Sequence, residues 1–194
     1  PGATLERLAE TLDRMLRTEQ FPGVDMLLHG RLVSEELERL IRDLDRDPDL
    51  PGIVRANAEL LRELVLPREV RVPYAVFHDC GKPLVRSVDA EGRVHYPDHA
   101  AASAKRFREL SPNGTVARLI ERDMEVHLLP ASGVEEFVRK DGSRFAATLL
   151  LSGFAEIRAN APMFGGRSSV GYRIKAKHLD ARSRKIVPLL KGRG

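Results

Sequence analysis

A mainly α-helical core with a small C-terminal β-hairpin is predicted by three features of the sequence. Apolar residues recur at three- and four-residue spacing through most of the chain. The segments that carry this spacing are separated by short Gly, Pro and Asp turns. Only beyond Gly165-Gly166 does the pattern switch to alternation, in Ser169-Val170-Gly171-Tyr172-Arg173-Ile174-Lys175.

In chain order, Leu5, Leu8, Leu12 and Leu16 mark an amphipathic helix over Ala3 to Arg17. A second helix is expected after Pro22, because proline is well tolerated at the first helical position; its apolar face includes Met26, Leu27, Leu37 and Ile41, and His29 lies within it. Arg42 to Pro51 reads as an acid-rich turn and Ile53 to Val65 as a third helix. Val70 to Asp79 is an apolar run ending in His-Asp. The turn Asp89-Ala90-Glu91-Gly92 makes Lys82 to Pro97 a surface loop or small hairpin. Helices follow over Asp98 to Leu110, from the Ser111-Pro112 start to Leu129, and from Arg144 to Asn160. The final alternating stretch, paired with the apolar Ile186 to Leu190, reads as the terminal hairpin.

A chain of 194 residues can bury one substantial core, which favours a helical domain over 1–164 with a basic hairpin and tail over 165–194. No apolar run is long enough to span a membrane, and the charged start lacks the pattern of a secretory signal, so a cytoplasmic address is expected. The single cysteine, Cys80, excludes an intrachain disulfide and a Cys-rich zinc site, leaving histidine and carboxylates as metal ligands. The net charge of +4 is concentrated after Arg167, where Asp180 is the one acid, so this end is suited to a phosphate backbone. No P-loop, dinucleotide fingerprint or credible Ser-His-Asp or Cys-His arrangement is present.

The informative stretch is Phe77-His78-Asp79-Cys80-Gly81-Lys82-Pro83. Neighbours on a regular helix point about 100° apart, so His78 and Asp79 can both face one metal only where a helix ends, and Gly81 and Pro83 supply an ending. Imidazole nitrogen and carboxylate oxygen suit divalent first-row metals, and a carboxylate can bridge two of them. Together with Arg86 and with Asp98-His99 opening an alanine-rich helix, the stretch resembles the HD superfamily of metal-dependent phosphohydrolases. The likeness is to the domains attached to CCA-adding nucleotidyltransferases and bacterial polynucleotide kinases, with Pro97-Asp98-His99 standing where those have Gly-His-Glu.

The resemblance implies an HD helical core and a metal held by His29, His78, Asp79 and Glu156, where glutamate replaces the usual aspartate and either coordinates through its longer arm or acts through water. It implies a second ion on Asp79, His99 and His127. Asp123, four residues before His127, is a ligand or orients His127, and His99 is a ligand or a phosphate donor. Lys82 and Arg86 would neutralise the substrate phosphate. The implied cofactor is one or two divalent ions (Mn, Ni, Co, Fe or Zn, with Mg also admitted). The stretch Ala155 to Gly166 further resembles HD proteins of RNA repair. The expected activity is therefore removal of a terminal 2′-phosphate or opening of a 2′,3′-cyclic phosphate on RNA or nucleotides. Arg173, Lys175 and Lys177 would bind the strand from one face of the hairpin, and a polynucleotide kinase or ligase would be the partner. A nucleotidase acting on deoxynucleotides and a degenerate RNA-binding module are the alternatives. His95 and His178 read as surface residues.

Overall fold

The three- and four-residue apolar spacing produces helices along most of the computed structural model, which describes residues 2–191. The chain divides into two compact units, Pro1–Leu32 with Val72–Asp123, and Val33–Arg71 with Met124–Gly194. It passes between them within helix α2 (Met26–Asp43), within helix α5 (Arg68–Phe77) and after Asp123.

The first unit begins with α1 (Gly2–Leu16). Its buried face is carried by Thr11 and Met15, whereas Leu5 and Leu16 are exposed. The reason is Arg106, whose guanidinium draws Thr11 and Glu10 against α7 (His99–Leu110), donating to Thr11 Oγ1 at 2.7 Å and Glu10 at 2.7 Å. Pro22 does not open the second helix. With Gly23, at φ 82°, it makes the turn of a hairpin between β1 (Glu19–Phe21) and β2 (Val24–Asp25), the placement expected for Pro-Gly in a tight turn. Asp25 then caps α2 by accepting from the Leu28 amide at 2.8 Å. Met15, Met26 and Cys80 form a core cluster, covered by Leu27, Phe77 and Tyr96.

Helix α5 ends at Phe77, and the short α6 (Lys82–Val85) starts after Gly81. A hairpin of β3 (Ser87–Val88) and β4 (Val94–His95) occupies the region expected to be a loop or small hairpin. Asp89 shapes its turn, accepting from the amides of Glu91 and Arg93. Helix α7 packs on α8 (Gly114–Arg122), which starts two residues later than Ser111-Pro112 suggested. Asn113 is its cap, with the side chain accepting from the Val116 amide.

In the second unit, the expected Ile53–Val65 helix is broken into α3 (Gly52–Arg55) and α4 (Ala58–Leu64). Asn57 lies between them and its side chain donates to the Ile53 carbonyl at 2.7 Å, competing with the helix for that acceptor. The short α9 (Glu125–Leu128) precedes α10 (Val134–Ala159), which kinks at Gly142 (φ 85°).

Among the described residues, 165–191 do not form a β-hairpin: Val170–Leu190 is helix α11, packed along α10 within the second unit. The alternation over Ser169 to Lys175 is a short window inside a helical pattern. Over the whole segment the buried residues Tyr172, Leu179, Ser183, Ile186, Val187 and Leu190 fall on one helical face. Ser169 caps the helix, its Oγ accepting from the Tyr172 amide at 3.2 Å. The observed strands lie instead at 19–25 and 87–95. Among the described residues no helix is long and apolar enough to cross a membrane.

Candidate metal centre

The end of α5 at Phe77 is what lets two consecutive residues face one point. The Cys80 amide donates to the Phe77 carbonyl and the Lys82 amide to the Asp79 carbonyl, so the chain turns twice between α5 and α6. His78 and Asp79 therefore escape the divergence that a continuous helix would impose. Two glycines permit the approach of the flanking elements. A Cβ on Gly30 would lie 2.2 Å from the Val76 carbonyl oxygen, so α2 and α5 touch backbone to backbone beside His29. A Cβ on Gly81 would lie 2.2 Å from the Ser103 amide nitrogen, and the Gly81 amide donates to Ser103 Oγ at 2.8 Å.

The result is a buried group centred on Asp79. His78 Nε2 stands 3.2 Å and His29 Nε2 3.7 Å from Asp79 Oδ2, and the two rings meet edge to face at 5.3 Å. His99 Nε2 faces the other carboxylate oxygen, Oδ1, at 3.7 Å. His29, His78 and Asp79 are 0%, 2% and 1% exposed, so water contributes little to their solvation. Burial acts to raise the Asp79 pKa, but His78 and Lys82 outweigh it and hold the carboxyl well below the usual carboxylate range. Lys82 Nζ lies 2.7 Å from Asp79 Oδ2 and 3.0 Å from Gln20 Oε1, over the Tyr96 ring. Lys82 is thus a buried counter-charge to Asp79. Arg86, just after α6, is exposed.

The tautomers follow from the backbone. His78 Nδ1 lies 2.8 Å from the Ala75 carbonyl and His99 Nδ1 3.1 Å from that of Tyr96. A neutral imidazole donating there carries its lone pair on Nε2, the atom turned toward Asp79. Ligand atoms of His29, His78 and Asp79 all lie within 4.8 Å of one another, and an Asp123 oxygen lies within 4.8 Å of a His78 ring nitrogen. No known protein family, curated protein or solved structure matches this chain. The donor set itself fits a divalent ion: two imidazole rings and a carboxylate converge in a desolvated site. This buried group can hold a metal ion.

The remaining expected residues are placed differently. Asp123 and His127 do not share a helical face, because α8 ends at Arg122 and α9 begins at Glu125. Asp123 is buried and accepts a short hydrogen bond from the Tyr74 hydroxyl. In the second unit, His127 Nε2 and Glu156 Oε2 are 2.7 Å apart, with Gly153 making room beside the His127 ring. Arg173, Lys175 and Lys177 are exposed on α11 rather than on a strand. Arg173 and Lys177 share a face at four-residue spacing, while Lys175 lies about 200° around from Arg173. Sequence reasoning missed Ser103, Tyr74 and Gln20 as supports of the site. Each is a common residue on an ordinary helix or strand, and none carries a local signal.

Proposed function

We propose that the chain is a metal-dependent phosphohydrolase of the HD type, removing a terminal 2′-phosphate or opening a 2′,3′-cyclic phosphate on an RNA end or nucleotide. The observation that carries the reading is the convergence of His29 Nε2, His78 Nε2 and Asp79 Oδ2 in one buried group, with His99 on the second oxygen of the same carboxylate. The His78-Asp79-x-Gly81-Lys82-Pro83 stretch supports the family and the RNA-repair likeness supports the substrate.

His29, His78 and Asp79 would hold the ion, with His99 and Asp123 as further ligands or hydrogen-bond partners of them. When bound, a Mn, Ni, Co, Fe or Zn ion supplies Lewis acidity, neutralising charge on phosphoryl oxygen and making water a nucleophile near neutral pH. The chain's own part is positioning. The Ala75 and Tyr96 carbonyls fix the His78 and His99 rings, and Lys82 keeps Asp79 ionised and aimed. Arg86 offers an exposed planar fork for the substrate phosphate. The ligand role that the family likeness gives His127 rests on the sequence alone.

The test is metal titration of chelated protein, with elemental analysis and hydrolysis of 2′-phosphorylated and 2′,3′-cyclic RNA ends beside deoxynucleoside triphosphates. The chelated protein is expected to be inactive, and Mn²⁺, Co²⁺ or Ni²⁺ to restore activity where Ca²⁺ does not. Asp79→Ala and His78→Ala are expected to lose more than the about 10–100-fold that removal of an outer-sphere partner costs, with the helical circular dichroism retained. Full activity in metal-free protein would reject the reading. Cleavage of deoxynucleotides without RNA ends would make it a nucleotidase.

A further inference from the structure

The second unit holds a groove of about 200 Å³ that none of the residues discussed above explains. Its floor is apolar, made by Leu129, Pro130 and Val134. Pro130 stops α9, and a 3-10 turn at Ala131–Gly133 folds the chain back toward α10. Gly133 is needed there, since a Cβ would meet the Pro130 and Leu129 side chains at 3.3 and 3.4 Å. Leu128, the residue before Leu129 in the chain, is 71% exposed.

The rim is cationic. His178, Arg182 and Lys185 are spaced four and three residues apart on α11, so they share one edge of that helix and line the groove together. Arg182 is half-buried and donates through Nε to the Leu129 carbonyl at 3.1 Å, which orients its guanidinium. Burial shifts its pKa downward, and among the described residues no carboxylate opposes it. Neither Lys185 nor His178 makes an ion pair among the described residues, and both are exposed. Elsewhere on this helix the arrangement is different: Arg184, one residue before Lys185, holds Asp180 at 2.9 Å. A partly desolvated guanidinium with no counter-charge is unfavourable unless an anion from outside completes it.

We propose that this groove binds a segment of single-stranded RNA, with one base lying on the Leu129–Pro130–Val134 floor and the flanking phosphates on Arg182 and Lys185. The volume admits one ring system and is too small for a helix. The planar guanidinium matches phosphate bidentately, and an apolar patch edged by cations matches the alternation of base and phosphate. Exposed Lys175, three residues before His178 and on the same helical face, continues the positive track toward the start of α11. The choice of RNA as the polyanion rests on the phosphohydrolase reading; the anion-binding character of the groove does not.

The experiment uses the full chain, stripped of metal by chelation so that no hydrolysis occurs, and a fluorescein-labelled 12-nucleotide single-stranded RNA without a terminal phosphate. Anisotropy titrations are run at several KCl concentrations. Arg182→Gln with Lys185→Gln is expected to weaken binding about tenfold and to flatten the slope of log K against log salt by about 1.4, two contacts at about 0.7 each. Ala181→Leu, which fills the groove from α11, is expected to weaken binding while leaving the slope unchanged. Lys185→Gln alone, at an exposed position with no ion pair, keeps the test valid if the Arg182 change disturbs the fold; its expected slope change is about 0.7. Unchanged affinity and slope in these variants would overturn the proposal. So would displacement of the RNA by polyglutamate at equal charge concentration, which would make the groove a site for acidic peptide. Hydrolysis of a small phosphodiester by the metal-loaded protein separates the two readings: absence of RNA binding in wild type with hydrolysis retained sinks only the groove, and RNA binding with no hydrolysis sinks only the enzyme.

Discussion

Cys80 sits between Asp79 and Gly81 at the most reactive-looking point of the sequence, yet its surroundings make it inert. Burial, and then the negative charge of Asp79, push the thiol up to about 12, and its Sγ lies 3.5 Å from the Ser103 carbonyl. At pH 8 the thiolate fraction is about 10⁻⁴, so folded protein should resist iodoacetamide for hours and react within minutes in 6 M guanidinium. Rapid labelling of the native chain, followed by mass spectrometry, would contradict the burial described. The neighbouring pair is legible from the residues alone because His78 and Asp79 are adjacent and bounded by Gly81 and Pro83. The partners that fix them are not. Lys82 reads as a phosphate-binding surface cation, and only the fold shows it turned inward onto Asp79 and Gln20.

At the scale of elements, close approach rather than propensity decides the site. Gly81 has ordinary helical dihedrals (φ -89°, ψ -15°), so its need for glycine comes entirely from the backbone of α7. Gly81→Ala must displace that backbone and should cost at the upper end of about 1–3 kcal/mol, lowering Tm by several degrees and weakening metal binding with it. Gly52→Ala is the control: nothing lies within 4 Å of its Cβ, so its effect should stay within about 0.5 kcal/mol. Equal melting temperatures for the two variants would mean that α6 and α7 are not in contact at Gly81. Pro22, read as a helix start, and Asn57, read as a helix interior, show the converse limit. Both residues are compatible with two local structures, and hydrogen bonds outside the helix choose between them.

At the scale of the whole molecule, the second unit is organised around a buried ion network that the sequence does not announce. Arg158 donates to both oxygens of Asp47, at 2.6 and 3.2 Å, and to Glu36 at 3.3 Å; Arg39 bridges the same two acids. For Asp47, burial raises the pKa but the Arg158 hydrogen bond and charge outweigh it; for Glu36, burial is outweighed first by Arg39. Both folded values are lowered. Their stabilisation is therefore present above the unfolded values of about 3.9 and 4.3, and is lost as pH falls through the lower folded values. Arg158→Met leaves Asp47 short of its main partner, which should cost about 3–5 kcal/mol at pH 7. That penalty should shrink between pH 7 and pH 4, because protonation then relieves the buried carboxylate. Urea melts at the two pH values test this, and a penalty independent of pH would remove the network from the account of stability.

The helical class, the turn at Asp89–Gly92 and the His78-Asp79 pair were determined by the sequence itself, because each depends on residues a few positions apart. The fate of Val170–Leu190 was not. Its first residues alternate as a strand would, and burial of Tyr172, Leu179, Ile186 and Leu190 along α10 selects the helix instead. The same holds for Asp123 against Tyr74 and for His127 against Glu156, pairs separated by 49 and 29 positions. Local pattern limits which faces a segment can present. Which face is buried, and which polar atom meets it, depends on contacts between distant segments, and only the tertiary structure supplies those.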